Sequence, residues 1–224
     1  MTVRLAIFDC DGTLVDGQAA VCDAMEAAFA EVNEQAPSRT EIRRIVGLSL
    51  PQAVRHLSPH FTAAVQEAIV DAYKQSFRDS RMAGRLHEPL FEGIEQVLRA
   101  LHADGWALAV ATGKSDRGLQ ACLAGHGISD LFCSLQTADR HPSKPHPAML
   151  NKAMADAQAE RRDTIMIGDT SFDIMAGVAA RVRSIGVSWG YHPPHELLDA
   201  GATCVVDDAA QIGSQLSAMT KDSR

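Results

Sequence analysis

Five polar residues stand just after short apolar runs of the sequence, or in the loop that follows one: Asp9, Asp11, Thr112, Lys144 and Asp169. If the runs are parallel strands of one sheet, their carboxyl ends meet at the edge where ligands bind in open α/β sheets. Each residue alone has an ordinary role, as a turn former, a helix N-cap or a solvated lysine. Their joint placement instead favours a single polar site.

The carboxylates among these residues suit a hard metal ion. Asp9 and Asp11 are two positions apart, so their side chains project to the same side of an extended segment. Together with Asp169 they offer an all-oxygen donor set, which Mg²⁺ favours when a few carboxylates combine with the oxygens of a phosphate. The sequence therefore predicts a Mg²⁺ site that involves Asp9, Asp11 and Asp169.

The remaining residues suit a phosphate. Backbone N–H groups around Gly12 and Thr13 could form a concave anion site, and glycine permits the tight turn that such a site needs. Thr112 would add a hydroxyl donor and Lys144 a positive charge. A carboxylate such as Asp9 can act as a nucleophile on the bound group, because formation of an aspartyl-phosphate is an established covalent strategy. The metal and the lysine would offset the repulsion between that carboxylate and the anion.

The elements that must position these residues alternate along the chain. Near-continuous apolar runs, typical of strands covered on both faces of a parallel sheet, occur at 3–8, 107–111, 131–135, 164–167, 182–187 and 203–206. Segments with helical spacing lie between them, at 93–103, 117–126, 148–157 and 173–180. This alternation predicts an α/β fold with a doubly wound parallel sheet.

Residues 17–80 interrupt the alternation, because they contain helix formers and no strand-like run. Helices are predicted at 20–32 and 40–46. A stripe of apolar residues at every fourth position predicts another helix with a core-facing side: Phe61, Val65, Ile69, Tyr73 and Phe77. We therefore predict two domains, a core formed by residues 1–16 and 81–224 and an inserted helical domain formed by residues 17–80. The last five residues, 220–224, are predicted to be a solvated tail.

The composition of the chain limits the kinds of partner that it is expected to bind and the cell compartment in which it is expected to work. The chain has 224 residues, with 21 Lys and Arg against 28 Asp and Glu, a formal net charge of −7. That balance argues against a nucleic-acid partner, because binding to a phosphate backbone relies on excess positive charge. No apolar stretch reaches the roughly 18 residues of a membrane span, and the first apolar run is too short for a signal peptide. The five cysteines lack C-x-x-C spacing, so we expect free thiols and a cytoplasmic protein.

Four short motifs occur in order along the chain: Phe8–Leu14, Ala111–Lys114, Lys144–Pro145 and Ile167–Asp173. In this order and spacing they resemble the motifs of the haloacid-dehalogenase-like (HAD) hydrolase superfamily. The resemblance covers essentially the whole chain, and the helical insert resembles the mobile cap of the phosphoglycolate-phosphatase-like branch. It implies a Rossmann-like core with an all-helical cap. It also implies a Mg²⁺-dependent phosphatase whose partner is a small phosphorylated metabolite.

The resemblance implies catalytic roles for four residues: Asp9, Asp11, Thr112 and Lys144. Asp9 would be the nucleophile, and Asp11 would protonate the leaving oxygen and later activate water. The residues implied to bind phosphate are Asp11, Gly12, Thr112, Gly113 and Lys144. The metal would be held by the Asp9 and Asp169 carboxylates and the Asp11 carbonyl oxygen, and Asp173 would orient a water bound to it.

One loop of the insert resembles the branch's specificity loop. It comprises Gly47, Leu48 and Ser49, between two predicted helices, and we expect it to select the substrate when the cap closes. Arg43 and Arg44 lie nearby and are expected on the surface.

Three residues differ from the patterns of particular branches of the superfamily and so affect the choice among possible functions. Asp11 argues against a dehalogenase, because those members lack the second acid. Gly168 weakens a phosphosugar-mutase function, because β-phosphoglucomutase-like members carry Glu at that position. Gly113 stands where phosphoglycolate phosphatases often have Asn, so phosphoglycolate is the favoured named substrate but others stay open. A non-catalytic regulatory protein on the same fold also stays open, as does the choice between monomer and homodimer.

Overall fold

The architecture is a six-stranded parallel sheet with helices on both faces, in a computed structural model that describes residues 2–221. The strands are β1 Leu5–Phe8, β2 Ala107–Thr112, β3 Phe132–Thr137, β4 Thr164–Gly168, β5 Arg183–Val187 and β6 Cys204–Val206. Their order in the sheet is β3-β2-β1-β4-β5-β6, and all five pairings are parallel. All six predicted strands and the doubly wound fold class are confirmed.

Ten α-helices occur within residues 2–221. Their bounds are α1 Gln18–Glu31, α2 Arg39–Arg44, α3 Leu50–Leu57, α4 Ala63–Met82, α5 Ile94–Ala103, α6 Asp116–Gly125, α7 Ala148–Ala157, α8 Ser171–Ala180, α9 Pro194–Asp199 and α10 Ala210–Lys221. Several begin after a residue whose hydroxyl accepts a backbone N–H of the first turn: Ser38, Thr62, Ser115 and Thr170. Because α10 ends at Lys221, the predicted solvated tail begins inside a helix, and its residues 222–224 lie outside the described part.

The sheet is buried on both faces, which explains the continuous apolar runs. In β1, Ala6 and Phe8 point into a core shared with α5, α6 and α10. Leu5 and Ile7 point the opposite way, into a second core built with α7 and α8. Since successive side chains of a strand alternate between faces, a strand covered on both sides needs apolar residues throughout.

Helices α1–α4 have a core of their own, whose fully buried members include Phe29, Ile42, Val54 and Ile69. Of these helices only α3, with eight residues and Pro51 in its first turn, was not predicted. Of the predicted stripe, Ile69 is buried, whereas Tyr73 and Phe77 are half-buried and face a cavity. Helix α4 continues to Met82, two residues past the predicted boundary, and the division of the chain into two domains stays a prediction.

The strand order places three strand ends side by side. β1 lies between β2 and β4, with Phe8 opposite both Val110 and Ile167. The order reverses between β1 and β4, which is the switch point where parallel sheets leave a crevice for ligands. Asp9 and Asp169 follow the two strands on either side of this point. Within the described residues, no helix combines the length and the apolar character needed to cross a membrane.

Truncation of a buried leucine tests the packing on the sheet. Leu98 of α5 is fully buried, so Leu98→Ala should lower the free energy of unfolding by about 2–5 kcal/mol. The matched control is Leu198→Ala in α9, where the side chain is 51% exposed and the loss should stay below about 0.5 kcal/mol. Urea unfolding followed by circular dichroism measures both. Equal losses in the two variants would contradict the described packing.

Candidate active site

Three buried carboxylates converge at the switch point of the sheet. Asp9, Asp169 and Asp173 each place an oxygen within 4.8 Å of the others, and all three side chains are buried. The Asp9 backbone N–H donates to the Ile167 carbonyl at 2.9 Å, which continues the β1–β4 pairing by one residue. Asp9 and Asp169 therefore owe their proximity to adjacent parallel strands, as the sequence predicted.

Asp173 reaches this cluster because of how α8 begins. Thr170 is the N-cap residue, and the Asp173 carboxylate accepts hydrogen bonds from the Thr170 N–H at 3.1 Å and from its hydroxyl at 2.7 Å. This capping box uses one carboxylate oxygen. The other lies 2.5 Å from the Lys144 amine. Asp173 thus orients Lys144, a contact that the predicted water-orienting role did not include.

Lys144 is a fully buried cation in the centre of these acids. Its amine lies 2.5 Å from Asp173 and 2.9 Å from Asp9, and it donates to the Ala111 carbonyl at 3.2 Å. Burial acts to lower the pKa of Lys144, but the charges of Asp173 and Asp9 outweigh it and hold that pKa above its usual value. The side chain therefore stays protonated, and its position rules out a solvated loop lysine.

The acidic cluster is short of positive charge. Both carboxylate oxygens of Asp9 lack a hydrogen-bond partner among the described residues, although Lys144 lies at ion-pair distance. Burial raises the pKa of Asp9 to about 7 against the opposing charge of Lys144. Burial, together with the charges of Asp173 and Asp9, also raises the pKa of Asp169. Free carboxylate oxygens in a negative, buried cluster fit a hard divalent cation such as Mg²⁺.

Asp11 belongs to a second charged group beside the cluster. Its carboxylate lies 2.9 Å from the Lys114 amine, which also contacts Glu88 at 2.6 Å. Burial raises the pKa of Asp11 in spite of the Lys114 charge. The Asp11 side chain is thus held by Lys114, and the family resemblance implies its backbone carbonyl oxygen, rather than this side chain, as the metal ligand. Lys114 had no predicted role although it stands in the second motif, and nothing in the sequence connects Glu88 with the site.

Gly12 is needed for a reason other than the predicted phosphate cradle. Its N–H donates to the Val15 carbonyl at 2.9 Å, so this N–H is not free to bind a phosphate. A Cβ at Gly12 would collide with the Asp169 carboxylate and lie 2.5 Å from the Tyr191 ring, and the backbone φ is +86°. The predicted phosphate contact from Gly12 is therefore corrected, and the glycine instead lets the first loop approach Asp169.

Two further groups fix the Asp169 carboxylate. The Thr13 hydroxyl donates to it at 2.7 Å, and the Tyr191 backbone N–H donates at 2.9 Å. No motif in the sequence indicates this contact of Tyr191. Because every residue except proline carries a backbone N–H, the residue type does not indicate such a contact, and only the fold reveals it.

A cavity of about 430 Å³ lies between the core and helices α1–α4. Five core residues that line it carry the polar chemistry, namely Asp9, Asp11, Thr112, Gly113 and Lys114. Thr112 is buried, and its hydroxyl accepts the Lys114 N–H at 3.3 Å. Lys144, Asp169 and Asp173 lie behind Asp9 and do not line the cavity wall. Asp9 is therefore the member of the carboxylate cluster that meets a ligand in the cavity.

The predicted specificity loop covers this cavity, but only in part as expected. Gly47 and Leu48 line the cavity, whereas Ser49 does not, because its backbone N–H donates to the Ser143 hydroxyl at 2.7 Å. The Leu48 carbonyl packs directly on Gly113, where an added Cβ would come within 3.0 Å of it. Ser49 therefore contacts the core, and the role of this loop in selecting the substrate stays a prediction.

The predicted surface arginines behave as expected. Arg43 and Arg44 are exposed and do not line the cavity. Arg44 forms an ion pair at 2.8 Å with Glu196 of α9, so it joins the helical insert to the core.

Comparison with known proteins agrees with this geometry. The model of the haloacid dehalogenase-like hydrolase family matches residues 6–187, which is most of the chain. The chain belongs to this family. Its relatives include the "Probable phosphatase IndB" of Dickeya dadantii, at 32% identity over 97% of this chain and 95% of that protein. They also include a phosphoglycolate phosphatase of Vibrio vulnificus, at 28% identity over 94% of each.

Solved structures share the fold. The structure of a predicted phosphatase from Clostridium acetobutylicum superposes with a TM-score of 0.86, covering 97% of this chain and all of the other at 23% identity. The match to the family model confirms the predicted membership, and the superposition confirms the fold class.

The mutase-like alternative meets a steric obstacle in this member of the family. A Cβ at Gly168 would lie within 3.0 Å of the Asp173 side chain, whose carboxylate caps α8 and contacts Lys144. A glutamate at this position, as in mutase-like members, would require Asp173 to move. The contact between Asp173 and Lys144 is therefore compatible with glycine at position 168, whereas a glutamate there would displace Asp173.

Gly113→Ala tests the contact between the specificity loop and the core. The added methyl group would collide with the Leu48 carbonyl, so the loop should detach more often and the amides of Leu48 and Ser49 should exchange about tenfold faster or more. Hydrogen exchange with mass spectrometry measures this. Gly125→Ala in α6 is the matched control, because nothing lies within 4 Å of its added Cβ. Unchanged exchange in Gly113→Ala would contradict the close approach.

Proposed function

We propose that this phosphatase hydrolyses a small phosphate monoester in a Mg²⁺-dependent reaction through a phosphoaspartate on Asp9. The observation that carries the proposal is the Asp9 carboxylate, which lines the cavity with both oxygens free of hydrogen bonds and Lys144 at 2.9 Å. The names of two relatives, a probable phosphatase and a phosphoglycolate phosphatase, support the reaction class.

In the first half of the reaction, an Asp9 oxygen attacks the phosphorus of the ester. The bond between phosphorus and the ester oxygen breaks as the bond to Asp9 forms. Asp11, two residues away on the same loop, gives its proton to the departing oxygen, so the alcohol leaves neutral. The Thr112 hydroxyl holds the phosphoryl oxygens from the cavity wall, and the Lys144 ammonium, 2.9 Å from Asp9 and behind it, supplies positive charge to the reacting groups.

In the second half, water attacks the phosphorus of the phosphoaspartate and Asp11 takes up its proton. The bond between phosphorus and Asp9 breaks, which releases inorganic phosphate and restores both carboxyl groups to their starting state. Lys114 and Glu88 position Asp11 for both steps, because they hold its carboxylate at the cavity wall. A binding or regulatory protein would need neither the free nucleophile nor the acid beside it.

The residues fit a Mg²⁺ ion held by the Asp9 and Asp169 carboxylates and the Asp11 carbonyl, with Asp173 beside them. When bound, the ion supplies positive charge that offsets the repulsion between the Asp9 carboxylate and the phosphate. Thr13 and Tyr191 keep the Asp169 carboxylate aimed at this position through their hydrogen bonds.

We also propose that the enzyme works in the cytoplasm on a small phosphorylated metabolite, as a monomer or a homodimer. All five cysteines are free thiols, which suits a reducing compartment. From the net charge of −7, and because no apolar stretch of its sequence reaches about 18 residues, we also expect it to bind neither nucleic acid nor membrane.

Removal of the two acids tests the mechanism. Asp9→Asn should reduce phosphate release to background, because the nucleophile is lost. Asp11→Asn should lower kcat by about 10²- to 10⁴-fold, the usual contribution of a general acid. Rapid quenching of wild type with a monoester, followed by peptide mass spectrometry, should find one phosphoryl group on the peptide that contains Asp9. Full activity of Asp9→Asn, or a phosphoryl group elsewhere, would overturn the mechanism.

Metal binding has a test that does not depend on activity. Mg²⁺ should raise the melting temperature of wild type, because a ligand at about a hundredfold excess over its Kd stabilises the folded state by about 2.7 kcal/mol. Asp169→Asn should lose most of this rise. Asp71→Asn, at an exposed position of α4, is the control and should keep it. Equal Mg²⁺ effects in both variants would rule out a site at Asp169.

A further inference from the structure

We propose that the substrate is a phosphate monoester with a bulky, ring-containing apolar body and a second anionic group at its far end, rather than a two-carbon acid such as phosphoglycolate. This inference rests on the proposed function, because it concerns the organic part of the same ester. It comes from the walls of the cavity above the reacting acids.

The size of the cavity exceeds what a two-carbon acid needs. Its volume of about 430 Å³ falls within the roughly 300–1,000 Å³ of pockets that enclose drug-sized ligands. The catalytic groups occupy only its floor on the core side. The space above them is enclosed by the helical insert and the specificity loop, so it is available to the organic part of the ester.

The lining of that upper space is apolar. Helix α1 contributes Val21 and Met25, the specificity loop contributes Leu48, and α4 contributes Tyr73 and Phe77. Of these five side chains only Tyr73, through its hydroxyl, could donate to a phosphoglycolate carboxylate, and burying a charge with few partners is costly. An apolar body would instead gain from burial against these side chains.

Two aromatic rings make this wall suited to a flat ligand. Tyr73 and Phe77 stand one turn apart on α4 with ring centroids 5.0 Å apart and planes tilted by 36°. The Lys114 amine lies 5.8 Å from the centroid of the Phe77 ring, so the ring is fixed above the pair formed by Lys114 and Asp11. A ring in the substrate can pack against these faces in an offset or edge-on arrangement.

The outer part of the cavity is basic. Lys74, Arg78 and Arg81 follow one another along α4 at helical spacing, and Arg117 faces them from α6. Against these four cations, the cavity lining outside its floor offers only the Asp139 carboxylate, which accepts the Asp116 N–H. Within residues 2–221, neither Lys74 nor Arg117 forms an ion pair. A protein of net charge −7 thus gathers cations at this opening, which suits a ligand with negative charge at both ends.

Three alkyl phosphates test the proposal: phosphoglycolate, benzyl phosphate and 4-carboxybenzyl phosphate. All three release an alkyl alcohol, so differences in rate do not arise from an aryl leaving group. With Mg²⁺ present, kcat/KM for benzyl phosphate should exceed that for phosphoglycolate by about tenfold or more, the usual effect of filling an apolar pocket. The added carboxylate should increase kcat/KM by about threefold further, and this increase should disappear at high salt.

Variants test which residues bind the ring of the substrate and which bind its second anionic group. Phe77→Ala should lower kcat/KM for both benzyl esters by about tenfold and shift the preference towards phosphoglycolate. Phe61→Ala is its control, because that ring packs within the helical insert and does not line the cavity. Lys74→Gln with Arg117→Gln should remove the preference for the carboxybenzyl ester, whereas Arg55→Gln, an exposed arginine of α3 away from the cavity, should keep it.

The outcomes separate this proposal from the function on which it rests. If phosphoglycolate has the highest kcat/KM of the three esters, the enzyme is a phosphatase and the proposed substrate class is wrong. An equal loss for all three esters in Phe77→Ala would also overturn it, as would a carboxylate preference that survives Lys74→Gln with Arg117→Gln. Hydrolysis of none of the esters, with Mg²⁺ present, would count against both proposals.

Discussion

The structure depends on the burial of one cation among three carboxylates. Lys144 contacts Asp9 and Asp173 in an interior where charges interact strongly and solvation is lost. One lysine cannot balance Asp9, Asp169 and Asp173, so the cluster keeps an excess of negative charge. A site in this state suits the divalent cation and the phosphate that we propose for it. The surrounding loops serve to keep these groups in place, and this is why glycine at residues 12 and 168 matters.

The sheet explains how groups from distant parts of the chain reach that cluster. Parallel pairing of β1 with β2 and β4 brings Asp9, Thr112 and Asp169 to one edge without long loops. The helical insert leaves the core directly after β1, so the loop that carries Asp9 also leads into the cap. In the proposed reaction, recognition of the phosphoryl group therefore depends on the core, and recognition of the rest of the ligand depends on the opposing helices.

The sequence was sufficient for the strands and for the meeting of Asp9 with Asp169, because continuous apolar runs and parallel pairing follow simple rules. It was insufficient where a contact depends on a backbone atom or on a partner far along the chain. The N–H of Tyr191 on Asp169 and the pair of Lys114 with Glu88 are of this kind. Gly12 was expected to offer its N–H to a phosphate and Ser49 to belong to the specificity loop, whereas their N–H groups donate to the Val15 carbonyl and the Ser143 hydroxyl.

The specificity loop meets the core through main-chain atoms. The Leu48 carbonyl lies on Gly113, and the Ser49 N–H binds Ser143. Neither contact uses the side chain of Leu48, which faces the cavity, so that side chain can change during evolution without loss of the docked position. The same closed geometry could then accompany many ligands. Retention of the docked loop would then depend on Gly113 and on the Ser143 hydroxyl, while the side chain of Leu48 could diverge with the choice of substrate.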